Sequence, residues 1–505
     1  MANMKRPGVY VSETLLFTNP DAGSPEATGA FLGTAAKGDN TAPGLVSSWD
    51  DFVTMYGGFP SSGAISELAY GVYSFFANGG RQAYVQRVTG TGAQIATVVL
   101  TDRAATPQST LTVSAKSSGA WGNSLRIGIV DRDAPGGRYD LLVYNGGTTD
   151  PYVVERWIDV SSSPSDGRYV VNLVNSATAG SSFITLTEMS SATAAPNNSP
   201  AVATTALSSG ADGSAPNTAQ MQAAVSLFDA VPYPLVINVP GVTTAAIINT
   251  VITYAENRGD VFVVCDTPSG QDVAGAVSYA ASLSPLSSYA AVYYPWVQMV
   301  DPTQSGGSST RLSAPGAAIV GLVCATDAAR GPMKAPAGVT ARLSGAVALE
   351  RKLTDTDLDT LNTSHINAVR NVPGSGICVM GARTLKKTSI DRYIPARRSL
   401  IYLKAALKNA TQFAVFEPND PTLWSTLTTR CIRVLADFWT LGGLKGNAAE
   451  AYYVKCDGTN NTPSSIANGV VNIEVGVALR SPAEFIVIKL GQWESGSTST
   501  NEVIP

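Results

Sequence analysis

At 505 residues the chain has room for roughly two to four domains with sizeable cores. Charged residues make up 14%, against roughly 25% in an ordinary soluble domain. Net charge is −4 and there is no basic run, which argues against nucleic acid as the main partner. Ala, Ser, Thr and Gly dominate instead, so copies of such a surface repel one another weakly and can pack densely. Lys5 and Arg6 are followed by Pro7-Gly8 rather than an apolar core, so the opening is not read as a signal peptide. The longest apolar stretch, around residues 317–325, is too short to span a bilayer, so no membrane partner is expected. Five scattered cysteines with no CxxC spacing read as small core residues in a reducing cytoplasm.

In chain order, "RPGVYVSE" places a short strand at Val9, Tyr10 and Val11 within an arm of residues 1–22. A lone short strand cannot hold itself together and must pair with a sheet, its own or a neighbour's. Phe31 to Gly33 predicts a strand. "SSWDDFVTMYGGFP" predicts a helix capped by Ser48 and stopped at Gly57-Gly58. "ISELAYGVYSFFANGG" predicts a second helix that buries Leu68, Val72, Phe75 and Phe76, and "RQAYVQRV" is a strand. Gly79-Gly80 follows a helix rather than a strand, so it is a helix stop and not a phosphate loop.

From residue 92 to 211 the texture turns to short alternating runs: "TLTVSA", "SLRIGIV", "YDLLVY", "YVVERWIDV", "RYVVNLV" and "FITLTEM". Pro135-Gly136-Gly137 and Asn145-Gly146-Gly147 punctuate them, as in a β-rich sandwich or small barrel. From Met221 helices and apolar strands alternate: "MQAAVSLFDAV", "PLVINVP", "TTAAIINTVITYAENRG", "VFVVCD", "QDVAGAVSYAASL" and "YAAVYYPWVQM". That β-α-β order predicts a mostly parallel buried sheet with helices on its faces.

Several residues invite a chemical reading and are read as structural. Asp266, at the end of a parallel strand, is where an α/β enzyme would place a catalytic group. A loop aspartate at a strand end is the simpler assignment. Asp355, Asp357 and Asp359 open like a calcium loop, but Thr360 replaces the turn glycine and Ile366 the final glutamate. A helix capped by Thr354 fits better. His365 is the only histidine, which rules out a multi-His metal site, and is expected on a helix. Ser375, in Pro-Gly-Ser-Gly, lacks the nucleophile-elbow spacing and reads as a turn. No metal, cofactor or catalytic group is therefore expected.

Toward the C-terminus, Leu400 to Leu407 reads as a short helix and Phe413 to Phe416 as a short strand. Asn419-Asp420-Pro421 opens a helix running to 441, with Trp424, Leu427, Cys431, Val434, Leu435 and Phe438 on one face. Thr426, Arg430, Arg433 and Asp437 lie opposite. Gly442-Gly443 stops the helix. Ala451 to Lys455, Val470 to Val477 and Glu484 to Leu490 read as strands.

"FEPND", the tryptophan after it, "NTPSSIANG" and "PAEF" resemble the C-terminal domain of tail sheath proteins of contractile-tailed bacteriophages. "GVYV" near the start, "FFANGGRQAYVQRV", "WGN", "TDAARGPMKAPAG" and "GARTL" carry the same resemblance. It covers residues 1–91 and about 300–492, while 92–211 fits only by position. The expected fold class is mixed α/β and multidomain. An α/β core (23–91 and 212–370) and a C-terminal α+β assembly domain (371–490) join a β-rich inserted outer domain (92–211), with extended terminal arms (1–22 and a tail from 491).

The resemblance implies a non-enzymatic subunit of a virion tail, assembled in the host cytoplasm. It would polymerise with itself as hexameric rings in a helical array around a tail tube protein, bounded by baseplate and tail terminator proteins. Contraction would drive the tube through the host envelope during genome delivery. It further implies strand exchange between subunits, which we place at Val9, Tyr10, Val11 and at Glu484, Phe485, Ile486, Val487, Ile488. Arg430 and Arg433 are the candidate tube-facing cations, with a solvated helix face or intra-subunit pairing as the alternative. The sheath of a bacteriocin-like or extracellular contractile particle is a variant reading. A hydrolase-like enzyme built on 221–300 is the distant one.

Overall fold

The computed structural model describes residues 27–484 except 61–66, 134–136, 190–192, 285, 305–308, 389 and 483. The chain is mixed α/β and multidomain. At its centre is an eight-stranded sheet in the order 376–379, 366–372, 290–294, 261–266, 235–238, 28–33, 83–87, 44–46. The inner six strands are parallel and the two outermost antiparallel.

The inner strands are apolar because both faces are covered. Val261–Asp266 is buried at every position. Val261, Val263 and Cys265 enter one core with Ile248, Val251 and Ile252 of the Ala245–Arg258 helix. Phe262 and Val264 point the other way, into a core with Phe75, Val320 and Val323. Period-two alternation along a strand is what divides its side chains between two helical layers.

The caps read from sequence are present. Ser48 Oγ accepts from the Asp51 amide at 3.1 Å, and Gly57, at φ +86°, closes the Trp49–Tyr56 helix. Thr354 and Asp357 form a reciprocal capping box that opens the Asp355–Thr363 helix. All five cysteines are free and buried.

Residues 96–207 surround a third core, between a sheet in the order 204–206, 125–133, 138–145, 153–161 and a three-stranded one. This is a β-sandwich. "RYVVNLV" departs from expectation: Val170–Val174 is a short helix that buries Val170 and Val174. Four closely spaced valines and leucines satisfy an i, i+4 pattern as readily as a strand, so the run was ambiguous from its spacing. The sandwich is fastened to the main sheet at the "WGN" turn. Arg87, 2% exposed, donates to the carbonyls of Ala35, Gly38 and Ser118. The Lys37 ammonium lies 5.6 Å from the Trp121 ring and 5.2 Å from that of Phe183.

Four further differences stand out. The strand expected across Tyr289–Met299 is broken at Pro295 into Ala290–Tyr294 and Val297–Val300, because proline cannot donate to a central ladder. His365 is not helical. It follows the Asp355–Thr363 helix at φ +62°, is buried, and its Nδ1 lies 3.0 Å from the Thr384 carbonyl oxygen. Burial lowers its pKa, so the ring is neutral with its proton on Nδ1. The first C-terminal helix is longer than expected, Ile394–Thr411. It runs on into a single 3-10 turn, Gln412–Ala414, where a strand was expected, and no strand pairs with residues 413–416 among the described residues.

Candidate assembly surface

The C-terminal region is built on two helices, Ile394–Thr411 and Pro421–Thr440. Asp420 Oδ1 accepts from the Leu423 amide at 2.8 Å, and Pro421 occupies the first turn where no amide is needed. The buried face carries Trp424, Leu427, Cys431, Leu435 and Phe438, the residues the spacing assigned, with Val434 half-buried. Phe438 stacks on Tyr402 at 5.3 Å.

The opposite face carries Arg430 and Arg433, both exposed. Arg430 does not stand free, because its guanidinium lies 3.7 Å from the Phe413 ring. Arg433 makes no ion pair among the described residues.

Against these helices lies a two-stranded antiparallel sheet, Tyr452–Lys455 with Glu474–Val477. The second strand is shorter than the Val470–Val477 run expected. Its long connection is pinned by Asn461, 2% exposed: Nδ2 donates to the Asn472 carbonyl and Oδ1 accepts from the Asn472 amide at 2.6 Å. Beyond one isolated bridge, Leu444 with Leu479, neither edge pairs with another strand among the described residues. Two strands alone are marginal in water.

Of the expected arm residues, Glu484 is described. Val9, Tyr10, Val11, Phe485, Ile486, Val487 and Ile488 lie outside the described residues. Glu484 is held by both oxygens: Arg383 Nε donates to Oε1 at 3.0 Å and NH2 to Oε2 at 2.5 Å. Arg383 also donates to the Asn362 carbonyl at 2.9 Å. Reading the sequence missed this anchor; the only signal for Arg383 was its place in "GARTL".

Asp266 has a structural role in the fold. It is 1% exposed, accepts from the Gly316 amide at 2.7 Å and from Asn238 Nδ2 at 3.0 Å, and caps the Gly316–Arg330 helix from another strand. Pro315, before that helix, has no side-chain acceptor to do so. Burial pushes the Asp266 carboxyl up to about 6, against the pull of Asn238 and Gly316. A Cβ at Gly316 would meet Asn238 Nδ2 and Asp266 Oδ2 within 2.5 Å, so the cap requires glycine at this position. Among the described residues no cluster of His, Cys, Asp or Glu could hold a metal, and no helix is long and apolar enough to cross a membrane.

With that geometry in hand, the model of the phage tail sheath central domain matches residues 214–385. The model of the phage tail sheath C-terminal domain matches 386–490. This chain belongs to the phage tail sheath family. The tail sheath protein of Vibrio phage KVP40 is 31% identical over 151 residues, and that of Enterobacteria phage T4 is 30% identical over 151. These matches span 29% of this chain and 22% of either relative.

The fold is shared more widely. The sheath tail protein of Listeria innocua aligns with a TM-score of 0.62 at 13% identity, covering 91% of this chain and 96% of that one. A chain of the anti-feeding prophage baseplate aligns at 0.59 with 22% identity, covering 97% and 99%. A chain of the contracted PVC sheath complex, an extracellular contractile injection system, aligns at 0.59 with 21% identity and the same coverage.

Proposed function

We propose that the chain is the structural subunit of a contractile tail sheath. It polymerises as a helical array of hexameric rings around a tail tube and contracts to drive the tube through the host envelope during genome delivery. Its partners are other copies of itself, the tube protein, and baseplate and terminator proteins. It acts in the virion tail after assembly in the host cytoplasm, and it has no catalytic role. In this reading residues 1–22 are an arm, 23–91 with 212–370 the α/β domain, and 92–211 the outer domain. Residues 371–490 are the assembly domain and 491–505 a tail.

The observation that carries the reading is the two-stranded sheet whose edges take no further strand among the described residues, within the stretch that matches the sheath C-terminal domain. Strand-forming text flanks the body at Val9 to Val11 and Glu484 to Ile488. Such segments, added to a neighbour's sheet edge, supply main-chain hydrogen bonds. Contacts of that head-to-tail kind need not close into a point group, which a helical array requires. The Arg383–Glu484 pair supports a fixed departure point for the C-terminal strand.

Negative-stain electron microscopy of the full chain over a concentration series tests this. Striated tubes or stacked rings are expected, and deletion of residues 1–14 is expected to abolish them. Monodisperse particles from the full chain in the presence of tube and baseplate would reopen the enzyme reading.

The tube contact is assigned to the exposed face of the Pro421–Thr440 helix. Reversing both cations, Arg430→Glu with Arg433→Glu, is expected to weaken sheath attachment to tubes by about tenfold or more and to remove its salt dependence. Co-sedimentation with tubes at low and high salt reads this out, and unchanged attachment removes the assignment.

An extracellular contractile particle is the second reading, favoured by the likeness in fold to the anti-feeding prophage and PVC chains over 97% of this chain. An adjacent capsid gene distinguishes the two.

A further inference from the structure

The β-sandwich is joined to the α/β body by two chain crossings, one leading in near residues 91–94 and one leading out near 211–214. The crossings run antiparallel. The Gln94 amide donates to the Ala211 carbonyl at 2.8 Å, the Ala211 amide to that of Gln94 at 3.1 Å, and the Ser214 amide to that of Thr91 at 2.9 Å. A two-stranded ribbon is marginal by itself and bends out of its own plane. The crossings alone therefore leave the sandwich free to swing.

Arg87 stands at the pivot. It ends the Ala83–Arg87 strand of the main sheet and is buried. Its Nε donates to the Ala35 carbonyl at 3.0 Å and Nη1 to that of Gly38 at 2.9 Å. Nη2 donates to the carbonyls of Ala36 at 3.3 Å and Ser118 at 2.9 Å. The first three acceptors belong to the body, and Ser118 belongs to the sandwich. Arg87 forms no ion pair among the described residues, so main-chain oxygens from both sides satisfy a buried cation.

The dependence runs both ways. Four carbonyls converge on one point, and a buried carbonyl needs a donor. A guanidinium carries five N–H groups in a planar fork and can serve them together. With an apolar side chain in its place, the oxygens reach water only if the sandwich moves off the body. The facing surfaces have little slack to absorb such a change. The Gly38 amide donates across the joint to Ser117 Oγ at 2.9 Å, and a Cβ on Gly119 would meet the Ala36 carbonyl oxygen at 2.6 Å.

We infer that Arg87 is the positioning residue that locks this joint. It holds the sandwich at one angle to the body, and without its guanidinium the two crossings become a hinge. The lock is internal to a single chain, so it stands or falls independently of the assembly reading. Arg87 and its four acceptors lie outside residues 214–490, which the sheath models match.

Distances between two nitroxide spin labels test it in the full chain, kept below the concentration at which it assembles. All five native cysteines are buried, so the labels go to exposed positions, Thr54→Cys on the body and Asn172→Cys on the sandwich. With Arg87 present, one narrow distance distribution is expected. Arg87→Met fills the space and removes every donor, and is expected to widen the distribution about twofold or more while far-UV circular dichroism stays unchanged. Arg87→Lys keeps the charge but loses the planar fork, and should fall between the two. A residue that only stabilises would lower the melting temperature and leave the distribution narrow. Should Arg87→Met fail to fold, Gly119→Ala pushes the surfaces apart from the sandwich side with Arg87 in place, and must widen the distribution in the same way. A distribution already broad with Arg87 present overturns the lock. So does one that stays narrow in Arg87→Met or, in its absence, in Gly119→Ala.

Discussion

Asp327→Ala is expected to lower stability by about 3–5 kcal/mol. Asp327 lies on the Gly316–Arg330 helix, packed on the main sheet, and Arg398 lies on the Ile394–Thr411 helix. Arg398 NH1 donates to Asp327 Oδ1 at 2.6 Å, and NH2 donates to Oδ2. The two side chains are 4% and 7% exposed. Such a pair offsets its own desolvation only while both members are present. Removing the carboxylate leaves the guanidinium buried without its bidentate partner. The double change Asp327→Leu with Arg398→Met removes both charges and is expected to recover most of the loss.

The consequence reaches assembly, because this pair fastens the C-terminal helices to the α/β body. Urea unfolding followed through the tryptophans Trp424 and Trp439 of the Pro421–Thr440 helix measures it. An Asp327→Ala midpoint indistinguishable from wild type would mean the pair is not the fastener. A double variant as weak as the single one would mean that packing volume, not charge, sets the cost.

What the sequence made legible, and what it hid, follows from the range of each interaction. Ser48 with Asp51, Thr354 with Asp357, and Asp420 with Pro421 act within one helical turn, so the text shows them directly. Val261–Asp266 announces burial on both faces because no polar side chain interrupts it until its end. Periodicity fails where a run is too short to choose, as at Val170–Val174, or where a strand needs a partner the text cannot supply, as at Phe413 to Phe416. His365 was misplaced because nothing local marks a buried residue that ends a helix at positive φ.

The candidate site divides the same way. The face of the Pro421–Thr440 helix bearing Arg430 and Arg433 follows from spacing alone. The pairs Arg383–Glu484 and Arg398–Asp327 join residues 101 and 71 positions apart, and no local pattern announces them. Asp266 was expected as a loop aspartate at a strand end; it is instead the buried last residue of the strand, and its duty as the cap of a helix fifty residues downstream was invisible until the sheet was assembled.

That cap makes stability depend on pH in a particular direction. The Asp266 carboxyl is pushed up to about 6 in the fold from 3.8, chiefly because burial disfavours its charge. The folded state therefore holds this proton more tightly than the unfolded chain. Its contribution is fully present below about 3.8 and is lost as pH rises through about 6. The difference amounts to about 3 kcal/mol. A carboxylate depressed by an ion pair would give the opposite slope.

Asp266→Asn removes the titration, so the variant is expected to gain on wild type as pH rises from 4 to 7. The gain falls short of the full difference. The new amide brings a donor toward Asn238 Nδ2, which already donates to the Val264 carbonyl at 2.9 Å. Asn238 Oδ1 has no partner among the described residues, so turning the Asn238 amide can accept the new donor at the cost of the Val264 bond. A net gain of about 1–2 kcal/mol at pH 7, vanishing near pH 4, is expected. Urea midpoints of both proteins at pH 4, 5, 6 and 7 decide it, and parallel curves would show that Asp266 does not titrate in this window. The same variant bears on function. A carboxyl held near pH 6 at the end of a parallel strand has the profile of an acid–base catalyst, but here its oxygens are taken up by Gly316 and Asn238. Asp266→Asn should therefore change the pH dependence of stability and leave sheath assembly at pH 7 intact.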